Sequence, residues 1–321
     1  MTFIHATRVS LAVILTSSLL VACRTTRPPT RPTPPEADRQ FLRLPSGVSL
    51  NHLQVDGQAL ALAVGTGQSF AGAEFSAFGA LKAATQTEEK HPVQWALMDL
   101  DQHRLVARSL AAGRPVFGAS LSKLYVAGTL LDKQKGRLTD AQLQLMAEML
   151  VVSSNPAWTA LQTEIGDGDP DRGRAANYAF TQRLGYARTR GYQGTWGSLH
   201  GNELTCLELI EYLFDLYQGH FRGAEIQWKI MHTERTGLDR ARKYLPSSQL
   251  LGSKTGTYDG PTLDPETQSA TTPAGVPYEV HVRHQVLVFN KNGHEYVLVV
   301  LSNSGNDEDA ALLAGGLYQE L

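Results

Sequence analysis

Three short runs carry residue types that could act on one another: Ser120-Leu121-Ser122-Lys123, Ser153-Ser154-Asn155 and Lys254-Thr255-Gly256. A serine hydroxyl is a weak nucleophile until a neighbouring base takes its proton. A lysine three residues later on a helix stands one turn away on the same face. A helix N-terminus adds positive dipole character and free backbone N–H groups, which favours an alkoxide or oxyanion and disfavours a charged lysine. Taken singly, each run has a plainer reading. Ser120 to Lys123 can be the polar first turn of a core helix, and a Ser-x-x-Lys pair is expected roughly once in a chain of this size. Ser153 and Asn155 can be a turn or cap, and Lys254 to Gly256 an exposed edge strand with a glycine bulge.

The elements that must position these runs are legible from periodicity. Residues 120–134 carry Leu121, Leu124, Tyr125, Gly128 and Leu131 on one helical face, and a second helix opens at a Thr139/Asp140 cap and ends just before Ser153. Helical patterns recur at 174–184 and 205–218, with a weaker one at 224–233. "VQWALMDLDQHRLVARS" reads as two strands around a turn at Asp101-Gln102-His103. "SQLLGSKTGT", "YEVHVRHQVLVFN" and "EYVLVVLSNS" read as strands, the latter two joined by Lys291-Asn292-Gly293-His294, and "DEDAALLAGGLYQEL" as a closing helix. The segment 259–277 reads as an exposed, turn-rich loop, and the Ala/Gly-rich stretch 41–92 gives mixed signals. The expected fold is α+β: an antiparallel sheet flanked by helices, with a reduced helical subdomain inserted in the chain.

The order of the three runs, each in its expected element, resembles the penicillin-recognising serine hydrolases, the class A β-lactamases and DD-peptidases. Their signature is Ser-x-x-Lys, then Ser-x-Asn, then Lys-Thr-Gly. "LMAEMLVVSSNPAWTAL" and "MHTERTGLDRARKYLPSSQLLGSKTGT" are similar to the family's surroundings of the second and third motifs. The resemblance covers residues 93–321, the expected hydrolase domain. It implies Ser120 as the acylated nucleophile, Lys123 as its proton acceptor, directly or through water, and Ser153 as proton donor to the departing amine. It implies Asn155 as a contact to the substrate amide and Lys254, Thr255 and Gly256 as the strand that receives the substrate carboxylate. The backbone N–H groups of Ser120 and Thr257 would form an oxyanion hole. Arg240 and Arg242 are candidates for a second carboxylate contact, or else a solvated basic stretch beside Lys243.

Two departures qualify what the resemblance implies. Class A β-lactamases carry a Glu-x-x-Leu-Asn loop whose glutamate activates the deacylating water. Here "GYARTRGYQGTWGSL", 185–199, contains no carboxylate, Gln193 could orient water but not deprotonate it, and Glu164 and Glu203 bracket the region in other contexts. Only 33 positions separate Ser120 from Ser153, where the family commonly inserts further helices. Ser154 in place of the common aspartate is not counted with these, because that position is mostly structural in the family. The expected activity is therefore a serine acyl-enzyme on β-lactams or D-Ala-D-Ala-like peptidoglycan peptides, with slow release of a trapped β-lactam. The alternative is a degenerate member that binds cell-wall peptide or a protein partner.

With 29 basic and 31 acidic residues the chain presents no field that would gather nucleic acid. "MTFIHATRVSLAVILTSSLLVAC" has the layout of a secretory signal over 1–22, and Leu20-Val21-Ala22-Cys23 resembles the lipobox of bacterial lipoproteins. Cys23 is the expected lipidation site, residues 23–40 a Pro-rich tether, and the location the cell envelope, membrane-anchored and facing the periplasm. Arg24 after the cysteine favours an outer membrane where one exists. Cys206 is then without an intramolecular partner. No glycine-rich phosphate loop and no paired Cys/His spacing points to a cofactor or metal, and the oligomeric state is left open.

Overall fold

The computed structural model describes residues 42–45, 47–191 and 202–321. The expected signal, Cys23, the tether and Gln193 lie outside these residues. Leu42, Leu44, Leu50 and Leu53 are buried, and a short hairpin follows, β1 (Gln54–Val55) and β2 (Gln58–Ala59). Helix α1 (Ala73–Thr87) leads to β3 (Val93–Asp99) and β4 (Arg104–Arg108), then to the two-residue strand β5 (Val116–Phe117). A 3-10 turn over Ala119–Ser122 runs into α2 (Lys123–Lys133), followed by α3 (Asp140–Val151), α4 (Asn155–Ile165) and α5 (Pro170–Arg183). Strands β6 (Arg190–Gly191) and β7 (Asn202–Leu204) precede α6 (Cys206–Gln218) and α7 (Ala224–Met231). The chain closes with β8 (Leu250–Pro261), β9 (Glu279–Lys291), β10 (His294–Ser302) and α8 (Asp307–Glu320).

The main sheet is antiparallel in the order β4-β3-β10-β9-β8, which leaves β8 on an edge. Its inner strands are buried on both faces, so they read as nearly continuous apolar runs. The period of two sorts their side chains into two cores. Trp95, Leu97, Leu287, Phe289, Leu298 and Val300 face α1 and α8, whereas Ala96, Met98, Val286, Val288, Val297 and Val299 face the helical layer. Residues 42–60 pack into the helical-layer core, and Phe70 and Phe78 into the other, so the stretch 41–92 contributes to both. Its helix α1 is missed by periodicity because only Phe78 and Thr85 of its residues are buried.

Local chemistry explains most boundaries. Thr139 and Gln142 form a reciprocal capping box at the start of α3, and Thr205 caps α6 by accepting from the Glu208 N–H. Asn292 and Gly293, both at positive φ, make the two-residue turn between β9 and β10. The loop expected from residue 259 begins later, because Asp259, Gly260 and Pro261 stay paired with His281, Val280 and Glu279. Among the described residues no helix is long and apolar enough to cross a membrane.

Candidate active site

The nucleophile candidate stands in the 3-10 turn, one step earlier than a regular helix start. Ala119, immediately before it, has φ 45°, a left-handed conformation unusual for a residue with a Cβ. Neighbouring elements pin the backbone on this approach. Gly118 N–H donates to Asn202 O (2.6 Å), and Asn202 Nδ2 donates to Ala119 O (3.2 Å). His284 contributes from β9: its Nδ1 accepts from Ser302 N–H (2.9 Å), so its Nε2 carries the proton and donates to Phe117 O (2.8 Å). Burial pulls the His284 imidazole down to about 3, which keeps it neutral. Ser120 is half-buried, and among the described residues nothing hydrogen-bonds its hydroxyl.

Lys123, one turn on, is 1% exposed. Its Nζ reaches Ser153 O (2.5 Å), Asn155 Oδ1 (2.7 Å) and Ser153 Oγ (3.3 Å). Ser153 lies at φ 60°, and this left-handed turn between α3 and α4 presents both its carbonyl and its hydroxyl to the lysine. The Trp158 indole, one turn further along α4, lies 5.9 Å from the same nitrogen. Burial, reinforced by the charge of Lys254, pulls Lys123 down to about 6, so the amine is largely neutral at pH 7. A neutral amine has two N–H donors and one lone pair. Ser153 O and Asn155 Oδ1 can only accept, so they take the two donors and leave the lone pair for a hydroxyl proton.

Lys254 approaches Ser153 from β8, donating to Ser153 Oγ (2.9 Å) and Thr255 O (2.9 Å). Burial pulls it down to about 8, with Glu234 drawing it back up and Arg240 lowering it, so it keeps its proton at pH 7. The single Ser153 hydroxyl thus lies between a charged lysine that donates to it and a neutral lysine that can accept from it. Gly256 permits the close approach of this edge strand: a Cβ there would stand 3.2 Å from Gly118 O and 3.3 Å from Leu121 N. Behind the strand, the Thr255 hydroxyl meets that of Thr236, which in turn bonds the carboxylate of Glu234.

The structure brings Lys123, Ser153, Asn155 and Lys254 into one hydrogen-bonded cluster, with Ser120 three residues before Lys123 in the preceding 3-10 turn. Thr257 is exposed on β8, and its hydroxyl accepts from Arg240 Nη2 (3.2 Å). The expectation of a solvated basic stretch at Arg240 and Arg242 is corrected, since both are buried. Arg242, 2% exposed, pairs with the wholly buried Glu234 (3.3 Å) and donates to Val64 O, so it is a strut of the core and touches no open cleft. Arg240 bonds Asp307 (2.5 Å) and His284 O (2.8 Å), which fixes it beside Thr257.

Ser154 caps α4, its hydroxyl accepting from Ala157 N–H (3.2 Å). Aspartate caps equally well, which accounts physically for the interchange. The two bracketing carboxylates are engaged elsewhere. Glu164 accepts from Gln142 Nε2 (2.7 Å) across α3 and α4. On β7, alternation turns Asn202 and Leu204 toward Gly118 and Ala119, and Glu203 away from them, where it accepts from Gln268 Nε2 (3.0 Å). Sequence reasoning missed Asn202, Glu234, Thr236 and His284 as site residues, because each sits among other polar residues and only its burial and its partners in the fold set it apart.

Neither a family model nor a curated protein matches the chain in sequence. Solved structures match it in fold. The TLA-3 extended-spectrum β-lactamase superposes with a TM-score of 0.57 at 14% identity, over 76% of this chain and 98% of its own. A β-lactamase from Desulfarculus baarsii gives 0.57 at 17% identity, over 78% and 98%. A class A β-lactamase from Bacteroides cellulosilyticus gives 0.55 at 17%, over 76% and 95%. The chain has the α+β fold of the penicillin-recognising serine hydrolases, in the form shared by class A β-lactamases.

Proposed function

We propose that the protein is a serine acyl-enzyme of the β-lactamase and penicillin-binding type, acting on β-lactams or on D-Ala-D-Ala-like peptidoglycan peptides. The observation that carries this reading is the sharing of Ser153 Oγ by Lys254 and Lys123, the latter three residues after Ser120. Neutral Lys123 takes the Ser120 hydroxyl proton, directly or through water, as Oγ attacks the substrate carbonyl. The oxyanion is met by the backbone N–H groups of Ser120 and Thr257, and the substrate carboxylate by Lys254 and Thr255. Asn155 hydrogen-bonds the substrate amide. As the C–N bond breaks, Ser153 passes its proton to the departing nitrogen and regains one from Lys123, leaving an ester on Ser120. The four Ser153, Lys123, Asn155 and Lys254 contacts exist before substrate arrives, so little reorganisation opposes the step.

A trapped acyl group is released only when a base activates water. Glu164 and Glu203 are both turned to other partners, which supports slow release of β-lactams and a peptidase-like balance of the two half-reactions. The same observation favours a second reading, a binder that captures cell-wall peptide without turnover. In either case, acylation of Cys23 would hold the domain at the periplasmic side of a membrane through the tether.

Incubating the full chain with a fluorescent penicillin, and following protein mass over time, separates these. A persistent adduct absent from Ser120→Ala is the expected result. Rapid loss of the adduct with accumulation of opened product shows efficient hydrolysis, and no adduct at any concentration overturns the enzyme reading.

A further inference from the structure

At the end of the sheet away from Ser120, three side chains that are far apart in sequence converge. Asp99 is the last residue of β3, Asp101 lies in the turn to β4, and His294 is the first residue of β10. His294 pairs with Lys291 of β9 and Thr257 with Arg283, so eight residues of β9, roughly 25 Å, separate this cluster from Thr257.

The Asp99 side chain is 1% exposed. Its Oδ1 accepts from Gln102 N–H (3.0 Å), but its Oδ2 is buried with no hydrogen-bond partner. His294 Nδ1 is likewise buried and unpartnered, and it faces that oxygen at 3.8 Å, too far for a hydrogen bond. Asp101 Oδ2 lies 3.5 Å from the same nitrogen, its carboxylate fixed by the Tyr217 hydroxyl (2.7 Å) and Glu295 N–H (3.0 Å). Arg104 approaches Asp99 Oδ2 only to 3.8 Å and spends its Nε on Gln102 Oε1 (3.2 Å). Two buried polar atoms without hydrogen-bond partners, 3.8 Å apart, are costly unless something lies between them.

All three candidate atoms lie within 4.8 Å of one another. A central cation would need side-chain shifts of a few tenths of an ångström to reach the ~2.0–2.2 Å bonds of zinc to imidazole nitrogen and carboxylate oxygen. One imidazole and two carboxylates suit a borderline divalent ion better than a hard one, and three protein ligands leave a position for water. We propose that Asp99, Asp101 and His294 bind a divalent transition-metal ion of the zinc type, joining the β3–β4 turn to the start of β10. The ligands stand 195 positions apart between Asp99 and His294, so no sequence spacing announces them. The ion has no part in the Ser120 chemistry.

The test is calorimetric titration of the chelator-treated full chain with zinc chloride, with cobalt(II) absorption as a second readout. One ion per chain is expected, with a cobalt spectrum of a low-coordinate N/O site. Asp99→Asn and His294→Ala should each weaken zinc binding about 100-fold or more. Half-exposed His294 provides the variant that keeps the fold if Asp99→Asn does not. No zinc binding, leaving a histidine–carboxylate ion pair or a bridging water in its place, overturns the proposal. So does binding unchanged in His294→Ala, which would put the ion elsewhere, or a preference for magnesium over zinc.

Discussion

The two walls flanking Ser120 differ in how they are built. On one side, α2, the turn before α4 and the edge strand β8 bring two buried lysines and an asparagine onto Ser153, every contact made between elements of fixed geometry. On the other, β7 supplies Asn202 to hold the backbone of Gly118 and Ala119 just before Ser120, and its carboxylate, Glu203, points to Gln268. Under the proposed function, the first wall would move the protons of acylation, while the second holds the backbone before Ser120 and offers no described base for water. Under that function, the difference means that forming and hydrolysing an acyl-enzyme would fall to separate walls, so that one half-reaction could be retained while the other is weakened.

The largest expected effect lies on the first wall. Lys123→Ala removes the proton acceptor and should slow adduct formation by about 10²–10⁴-fold. Lys123→Arg should be no better, since a guanidinium stays protonated. An acylation rate within tenfold of the parent for either variant, measured by single-turnover kinetics, would break the assignment of the base.

The pH profile of acylation should be bell-shaped. The rising limb comes as Lys123 loses its proton near pH 6, and the falling limb as Lys254 loses the charge that receives the carboxylate near pH 8. Rates at pH 5 should be about tenfold below those at pH 7. A profile flat from pH 5 to 7 would contradict a neutral lysine base.

Gly256→Ala tests how tightly the walls are joined. Its Cβ would press on Gly118 O and Leu121 N, so we expect a loss of about 1–3 kcal/mol in unfolding free energy. Acylation should slow about tenfold through displacement of the turn. Unchanged melting and kinetics would show that strand and turn have room to separate.

The smallest effect belongs to the second wall. Glu203→Gln should leave both adduct formation and adduct loss within about twofold, because a side chain turned away from the reacting atoms contributes only structure. A tenfold fall in adduct loss alone would identify Glu203 as the missing base and erase the contrast between the walls.

Much of the first wall is legible in the sequence because its parts are local. Ser120 and Lys123 share a helical face by spacing, Thr139 and Thr205 announce helix starts, Asn292-Gly293 announces a hairpin, and alternation marks the strands. These signals need only neighbours within a turn or two, and so survive in one dimension. Helix α1 was not readable, because it buries too few residues to leave a stripe. Burial of Arg240 and Arg242 was not readable either, because a charge run looks solvated until its partners, Asp307 and Glu234, are placed beside it.

Residue type and short spacing alone suffice to pair Ser120 with Lys123, to mark the two later motifs, and to show the absence of a carboxylate between Gly185 and Leu199. Tertiary structure decides that two lysines meet on one serine hydroxyl, that Glu203 is buried against Gln268, and that Asp99 and His294 come together across 195 positions. The physical reason is range. Periodicity and capping act over a few residues, whereas the depressed affinity of Lys123 for its proton, and the direction each carboxylate faces, depend on which distant segments exclude water around it.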